Sequence, residues 1–204
     1  MSKPEVKPEP KPSPIIIRES PNGLKQLKLV LVGDTSVGKS CLITNFLKNT
    51  FTDDYEPTVL DVFRGTKNVD GKQVDVEIHD TSGDDHLGVN RKVQYQDADC
   101  FMICVACNGR DSFDNIGKWK TEIMQVEINK PILLILTKRD LADLTEDPVK
   151  ITELRQVSKD EGCQGAMSTS SKAWEDFNVH TAFNKALKTA YMNKYDDGED
   201  SDDD

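Results

Sequence analysis

One eight-residue segment constrains this chain more than any other: Gly33-Asp34-Thr35-Ser36-Val37-Gly38-Lys39-Ser40, called the phosphate loop below. It follows the apolar stretch Leu27 to Val32, which predicts a buried strand, and precedes Cys41 to Lys48, which predicts a helix. Glycines at both ends let the backbone wrap closely around a polyphosphate, with N–H groups and the helix N-terminus directed at its negative charge. Lys39 then reaches the terminal phosphates, and the Ser40 hydroxyl can bind Mg²⁺. A surface turn containing glycine is the alternative, but the segment in this context predicts a nucleoside triphosphate site.

Two later segments indicate which base is bound. Thr137-Lys138-Arg139-Asp140 follows the apolar run Pro131 to Leu136, so the Asp140 carboxylate comes at the carboxyl end of a buried strand, where open α/β sheets bind ligands. A carboxylate accepts from both N1–H and the exocyclic amine of guanine, whereas adenine presents an acceptor at N1. Ser170-Ser171-Lys172, after the short strand candidate Gly165 to Thr169, would close over the base from the other side. These segments favour guanine.

The hydrophobic periodicity alternates between strands and helices, which predicts an α/β fold. Asp70-Gly71, between two strand-like stretches at 59–69 and 73–79, is a hairpin signal that predicts one antiparallel edge pair on an otherwise parallel sheet. We expect six strands and about five helices, packed on both faces of the sheet. The stretch 74–78 is the apolar part of the second hairpin strand, and other strands are predicted at 27–32, 101–106 and 132–136. Helices are predicted at 41–48, 112–127, 149–161 and 174–194.

From Leu27 to about Lys194 the sequence resembles the small GTPases of the Ras superfamily. The resemblance implies the P-loop NTPase G-domain fold, GTP or GDP with Mg²⁺ as ligands, and hydrolysis of GTP to GDP and phosphate. Phe51 matches the aromatic residue that packs against guanine, and Thr58 in Tyr55-Glu56-Pro57-Thr58 matches the threonine that binds Mg²⁺ in the GTP state. Asp80-Thr81-Ser82-Gly83 matches the Asp-x-x-Gly element, in which Asp80 holds Mg²⁺ through water and Gly83 donates its N–H to the γ-phosphate. Loss of that phosphate would release both switch segments.

The motifs and the resemblance together define three sets of site residues. Predicted to bind the nucleotide are Asp34, Thr35, Ser36, Val37, Gly38, Lys39, Ser40, Cys41, Phe51, Tyr55, Thr58, Gly83, Thr137, Lys138, Asp140, Leu141, Ser170, Ser171 and Lys172. The predicted metal ligands are Ser40, Thr58 and Asp80, and the predicted catalytic residues are Asp84, Lys39 and Gly83.

The subfamily signals are mixed. Pro57 to Asp61, the Thr-Lys-x-Asp segment and the 22 residues from Thr58 to Asp80 resemble Rho proteins, whereas Ser112 to Trp119 has Rab-like spacing. The 30 residues between Asp140 and Ser170 are too few for the additional helix usual in Rho members. The sequence therefore resembles a divergent Rho-like protein.

Two positions depart from the family pattern. Asp84 stands where a glutamine normally orients the attacking water, and a carboxylate is shorter, cannot donate, and is repelled by the γ-phosphate. This predicts weak intrinsic hydrolysis. Three roles are open for this acidic segment. Asp84 could act as a general base, Asp84 and Asp85 could be solvated carboxylates beside His86, or the acidic loop could bind a partner. Thr35 replaces the usual glycine and would crowd an arginine supplied by an activating partner.

The two ends of the chain differ from the central domain, 27–194. Residues 1–26 are rich in Pro, Lys and Glu, which predicts a disordered, semi-rigid extension in which Ile15-Ile16-Ile17 could serve as a local anchor. Residues 195–204 form an acidic tail with seven carboxylates, without which the net charge of −10 would be −3. Such a tail argues against nucleic acid and anionic lipid as partners. With no lipidation motif or apolar span, we expect a cytoplasmic protein without a direct lipid anchor, recruited to membranes or cytoskeleton only by partners.

The cysteines and histidines give no further site. Five scattered cysteines and no signal peptide suit a reducing compartment. Cys104 and Cys107 match C-x-x-C, but a spacing of three on a strand puts their sulfurs on opposite faces. We expect both cysteines, His79 and His180 to be structural.

Three functional classes remain. The first is a monomeric GTP-regulated switch that binds effectors through Thr52 to Asp61 and Ser82 to Gln94, served by an exchange factor and a GTPase-activating protein. The second is a pseudo-GTPase interaction module held in one nucleotide state. The third, another P-loop enzyme such as a nucleotide kinase, is disfavoured by Asp140 and Ser171-Lys172, which select guanine.

Overall fold

Six strands form one sheet in the computed structural model, which describes residues 23–51, 60–172 and 178–195. Their order across the sheet is β2-β3-β1-β4-β5-β6. β2 pairs antiparallel with β3, and all other neighbours are parallel. The strands are β1 (Lys25–Val32), β2 (Leu60–Val69), β3 (Lys72–Thr81), β4 (Cys100–Ala106), β5 (Ile132–Thr137) and β6 (Ala166–Ser168). The predicted mixed, mostly parallel sheet is confirmed.

The predicted hairpin joins β2 and β3. Asp70 and Gly71 lie at its turn with φ angles of 48° and 85°, the left-handed pair that a tight type I′ turn requires. Because β3 also pairs with β1, the hairpin leaves β2 at the edge of the sheet.

Six α-helices lie within the described residues, against about five expected. The stretch predicted as one helix at 112–127 folds as two, which meet at Asn115 with backbone angles of −81° and 1°. A helix that follows the Asp-x-x-Gly element was not among the predicted stretches, and the first part of the predicted helix 174–194 falls outside the described residues. The helices are α1 (Lys39–Lys48), α2 (Gly88–Tyr95), α3 (Arg110–Asp114), α4 (Ile116–Met124), α5 (Ile151–Asp160) and α6 (Val179–Tyr195).

The helices bury both faces of the sheet. On one face α1 packs with α6, and the rings of Phe46 and Phe183 stack there with centroids 4.1 Å apart. On the other face α2, α4 and α5 contribute Tyr95, Trp119 and Leu154 to a second core. The central strands are therefore apolar on both sides. Cys104 lies in the first core and Cys107 in the second, which confirms that these two side chains occupy opposite faces.

A buried ion pair fastens the end of α6 to the start of the sheet. Lys194 Nζ lies 2.9 Å from Asp99 Oδ2, with 7% and 4% of the two side chains exposed. The same ammonium donates to the carbonyl of Gln26 at 2.9 Å. This pair lies at the end of the sheet where β1 and β4 begin, opposite the carboxyl ends of these strands.

The two histidines predicted to be structural make contacts within the fold. His79 on β3 lies 3.0 Å from Gln94 Oε1 on α2 and 3.3 Å from Glu77 Oε2. His180 on α6 lies 2.7 Å from Asn49 Oδ1, just after α1. Among the described residues no group of His, Cys, Asp and Glu side chains forms a cage for a metal ion.

Candidate nucleotide-binding site

The phosphate loop connects β1 to α1 at the carboxyl edge of the sheet. It passes so close to β4 that a Cβ atom on Gly33 would lie 2.4 Å from the carbonyl oxygen of Cys104. Gly38 precedes α1, and within the described part of the chain no side chain caps that helix and no acidic residue lies in its first turn. The partial positive charge at the N-terminus of α1 therefore favours an anionic ligand at the loop.

Lys39, the first residue of α1, directs its ammonium group back to the start of the loop. Its Nζ donates to the carbonyls of Gly33 and Asp34 at 2.8 Å each, and the residue is 6% exposed. Burial lowers the pKa of Lys39 below its ordinary value, while the nearby carboxylates of Asp80 and Asp34 oppose this shift. A polyphosphate would supply the negative charge that a buried ammonium needs.

Two of the three predicted metal ligands lie within the described residues, Ser40 as the last residue of the loop and Asp80 on β3. Ser40 lies in the first turn of α1, and Asp80 lies near the end of β3, paired in register with Leu31 of β1 and 1% exposed. Thr58, like Tyr55, lies outside the described residues. A hydroxyl and a carboxylate beside a phosphate loop suit Mg²⁺, which keeps several waters and takes oxygen ligands. Ser40 and Asp80 would therefore hold the ion, which would neutralise phosphate charge.

Gly83 lies directly against the phosphate loop. A Cβ atom on it would be 2.2 Å from the backbone nitrogen of Thr35 and 2.3 Å from the carbonyl carbon of Asp34. The next residue, Asp84, is exposed, and its carboxylate accepts from the backbone N–H of His86 at 2.9 Å, capping a short 3₁₀ turn, Asp85–Leu87. The Asp-x-x-Gly element thus lies beside the N-terminal half of the phosphate loop, at Asp34 and Thr35.

The base-reading segment is tied to the phosphate loop and to the segment after β6. Thr137 Oγ1, at the end of β5, donates to the carbonyl of Val37 at 2.5 Å. Ser170 Oγ donates to Asp140 Oδ1 at 2.5 Å. Lys138 adopts a left-handed backbone conformation with φ 55°, at the turn between the end of β5 and Asp140. The two hydrogen bonds link three predicted segments: the phosphate loop, 137–140 and 170–172.

Two side chains border the expected base position. Lys172 Nζ lies 5.5 Å from the centroid of the Phe51 ring, so an ammonium group faces an aromatic ring there. Asn45 on α1 donates to the carbonyl of Ser171 at 3.2 Å. Cys41 lies on α1 and Leu141 follows Asp140 in the 3₁₀ turn Arg139–Leu144; both are partly buried.

A comparison with protein families agrees with this geometry. The family model described as the Ras family matches residues 28–192, well over half of the chain. The chain belongs to the Ras family. Ras-family proteins are in general small GTPases that bind guanine nucleotide and Mg²⁺, and the fold of this chain is that of a Ras-like P-loop domain.

Among the described residues no helix is long and apolar enough to cross a membrane.

Sequence reasoning missed how this Ras-family site is held together. The Asp34 carboxylate accepts from Trp119 Nε1 at 2.7 Å and from Asn115 Nδ2 at 2.8 Å. Both of its oxygens are therefore engaged within the protein, and we expect the backbone of Asp34 to serve the nucleotide. Asn115 and Trp119 are four residues apart, a spacing that puts two side chains on one helix face, and this was the available signal. Arg91, which is 3% exposed, was missed as well.

Proposed function

We propose that this protein is a guanine-nucleotide switch, divergent and Rho-like with some Rab-like spacing, that binds GTP and GDP with Mg²⁺. The observation that carries the proposal is the bond from Thr137 to Val37, because it joins the base-reading segment to the phosphate loop. Asp140, steadied by Ser170, is then the carboxylate that accepts from guanine, while Lys39 and the loop amides bind the phosphates.

Calorimetric titration with Mg²⁺ present tests this proposal. We expect GDP to bind far more tightly than ADP, and Asp140→Asn to reduce that preference by about a hundredfold, since a charged acceptor for two guanine donors is lost. Asp143→Asn is the matched control, because Asp143 is an exposed carboxylate in the same 3₁₀ turn. Equal affinity of the wild-type protein for GDP and ADP, or no binding of either, would refute the proposal.

We propose further that hydrolysis is slow because Asp84 replaces the glutamine that orients water. The cap that Asp84 provides to the His86 amide supports this view, since its carboxylate serves the turn as an acceptor and cannot donate to water. Asp84 and Asp85 are both exposed, and the hydrogen bond from Lys118 lowers the pKa of Asp85 below its ordinary value. Both observations favour solvated carboxylates over a general base.

Single-turnover hydrolysis of bound GTP tests the role of Asp84. We expect Asp84→Gln to raise the rate. Asp84→Asn, which keeps a capping oxygen and removes the charge but lacks the extra methylene, is expected to do so much less. A rate unchanged by Asp84→Gln would show that the substitution at this position does not limit hydrolysis.

Effector binding through 52–61 and 82–94 completes the proposed switch. Val89 and Val93, one turn apart on α2, are 80% and 55% exposed, which supports a protein-binding surface on the second of these segments. We propose a cytoplasmic monomer with this G domain at 27–194, a Pro-rich extension at 1–26 and an acidic tail at 195–204. An exchange factor and a GTPase-activating protein would regulate it.

A pseudo-GTPase module held in one state is the alternative, and the Asp84 cap favours it too. The nucleotide that copurifies with the protein, followed by its turnover, distinguishes the two. Retained GTP with no turnover would indicate the module, whereas GDP together with slow turnover of added GTP would indicate the switch.

A further inference from the structure

Arg91 on α2 is a buried guanidinium with every nitrogen engaged. Its Nε and Nη2 donate to the two carboxylate oxygens of Glu122 on α4 at 2.8 and 2.9 Å. Its Nη1 donates to the carbonyls of Ser82 and Asp84, each at 2.8 Å. The side chain is 2% exposed, so these contacts form away from water. Arg91 thus donates hydrogen bonds to the backbone carbonyls on both sides of Gly83.

The guanidinium also rests on an aromatic surface that leads to the phosphate loop. Arg91 Cζ lies 4.7 Å from the ring centroid of Trp119, which is fully buried. The indole N–H of Trp119 donates to Asp34 in the loop at 2.7 Å. Glu122, which fixes the other side of Arg91, also accepts from the hydroxyl of Tyr95 at 2.7 Å. The position of Arg91 is therefore set relative to the loop.

The hydrogen bond from Arg91 to the carbonyl of Ser82 affects the N–H of Gly83. The carbonyl of Ser82 and the N–H of Gly83 belong to the same peptide group, which is planar and has its C=O and N–H pointing in opposite directions. A charged donor on that carbonyl fixes the direction of the N–H. It also polarises the peptide group, which makes the N–H a stronger donor.

We infer that Arg91 is a positioning residue that aims and strengthens the Gly83 N–H toward the γ-phosphate. The inference rests on the proposed function, in which Gly83 donates to that phosphate. It differs from a purely structural role, in which Arg91 only fastens α2 to α4. A structural role affects GDP and GTP alike, whereas an aimed Gly83 N–H matters only when the third phosphate is present.

The test compares the affinities of GDP and a non-hydrolysable GTP analogue, both with Mg²⁺, in the full chain. Arg91→Lys keeps a positive charge but cannot reach Glu122 and two carbonyls together. We expect it to weaken the analogue about tenfold more than GDP. Glu122→Gln, which loosens the support of Arg91 and keeps the side-chain shape, is expected to act in the same direction if Arg91→Lys does not fold.

Arg110→Gln is the matched control. Arg110 also bonds to carboxylates, those of Glu153 and Asp147, and to the carbonyl of Pro148, but it contacts neither switch segment nor the phosphate loop in the described residues. Its removal should leave the ratio of the two affinities unchanged. An equal loss for both nucleotides in Arg91→Lys and Glu122→Gln, or no loss, would overturn the inference. Failure of the wild-type protein to bind GDP would instead overturn the proposed function, and the inference with it.

Discussion

Gly83→Ala should selectively disrupt the reading of the third phosphate. The added Cβ would lie 2.2 Å from the backbone nitrogen of Thr35, where ordinary contact begins at 3.4 Å. The two segments must therefore separate by about 1.2 Å. The obstructing atoms belong to the phosphate-loop backbone, which Lys39 and β4 hold in place, so we expect the Gly83 segment to move.

Two energies follow from that movement. Overpacking a well-packed contact costs about 1–3 kcal/mol, and this lowers the free energy of unfolding. A hydrogen bond to a charged group contributes about 1.5–3 kcal/mol, and a shift of 1.2 Å is enough to break one. Affinity for a GTP analogue should thus fall about 10- to 150-fold, with a much smaller change for GDP.

Calorimetric titration with both nucleotides and urea denaturation of the protein measure the two effects. Gly117→Ala is the control, because a Cβ on Gly117, within α4, meets nothing within 4 Å. It should stabilise the protein by up to about 1 kcal/mol and leave both affinities unchanged. Equal affinity losses for GDP and the analogue in Gly83→Ala would refute the geometric reasoning.

Three further predictions concern stability and the shape of the site. Lys194→Met should lower the free energy of unfolding by about 3 kcal/mol at neutral pH, because Asp99 stays buried without its cation, and Asp99→Asn in the same chain should recover much of this in urea denaturation. Burial lowers the pKa of His79 below its ordinary 6.5, so the unfolded chain takes up the proton first; the free energy of unfolding should fall as pH drops below 6.5, and less so in His79→Gln. Thr137→Val should weaken GDP and GTP-analogue binding equally, by about tenfold, whereas Thr137→Ser, which keeps the hydroxyl bonded to Val37, should not; a similar loss in both variants would contradict this role.

Local patterns predicted much of the fold. The apolar runs of β4 and β5, and of β1 from Leu29 onward, are continuous because these segments are buried on both faces. The Asp70-Gly71 turn fixes the hairpin from two residues alone. The phosphate loop and the base-reading segment each follow such a strand, so the sequence alone predicts that they lie at one edge of the sheet.

Helix α2 was missed because its sequence carries little of the usual signal. It starts at Gly88, and two of its apolar residues, Val89 and Val93, face water. Besides the buried Tyr95, the bond of Arg91 to Glu122, thirty-one residues away, holds the helix in place, and a hydrophobic pattern cannot show such a contact. The break at Asn115 between α3 and α4 is similar, since its amide reaches Asp34, eighty-one residues away.

The residues that sequence reasoning found and those it missed differ in how they act. A nucleotide is expected to contact consecutive backbone amides and side chains that are neighbours in sequence. Its binding residues therefore form short sequence motifs, such as 33–40 and 137–140. The direction of those amides depends on isolated side chains, Arg91 and Trp119 among them, that approach from α2 and α4. Each of these side chains acts through a contact with a residue that is distant in sequence. No spacing pattern in the sequence identifies such residues. Substitutions at these positions should therefore alter the discrimination between nucleotides while leaving every recognisable motif intact.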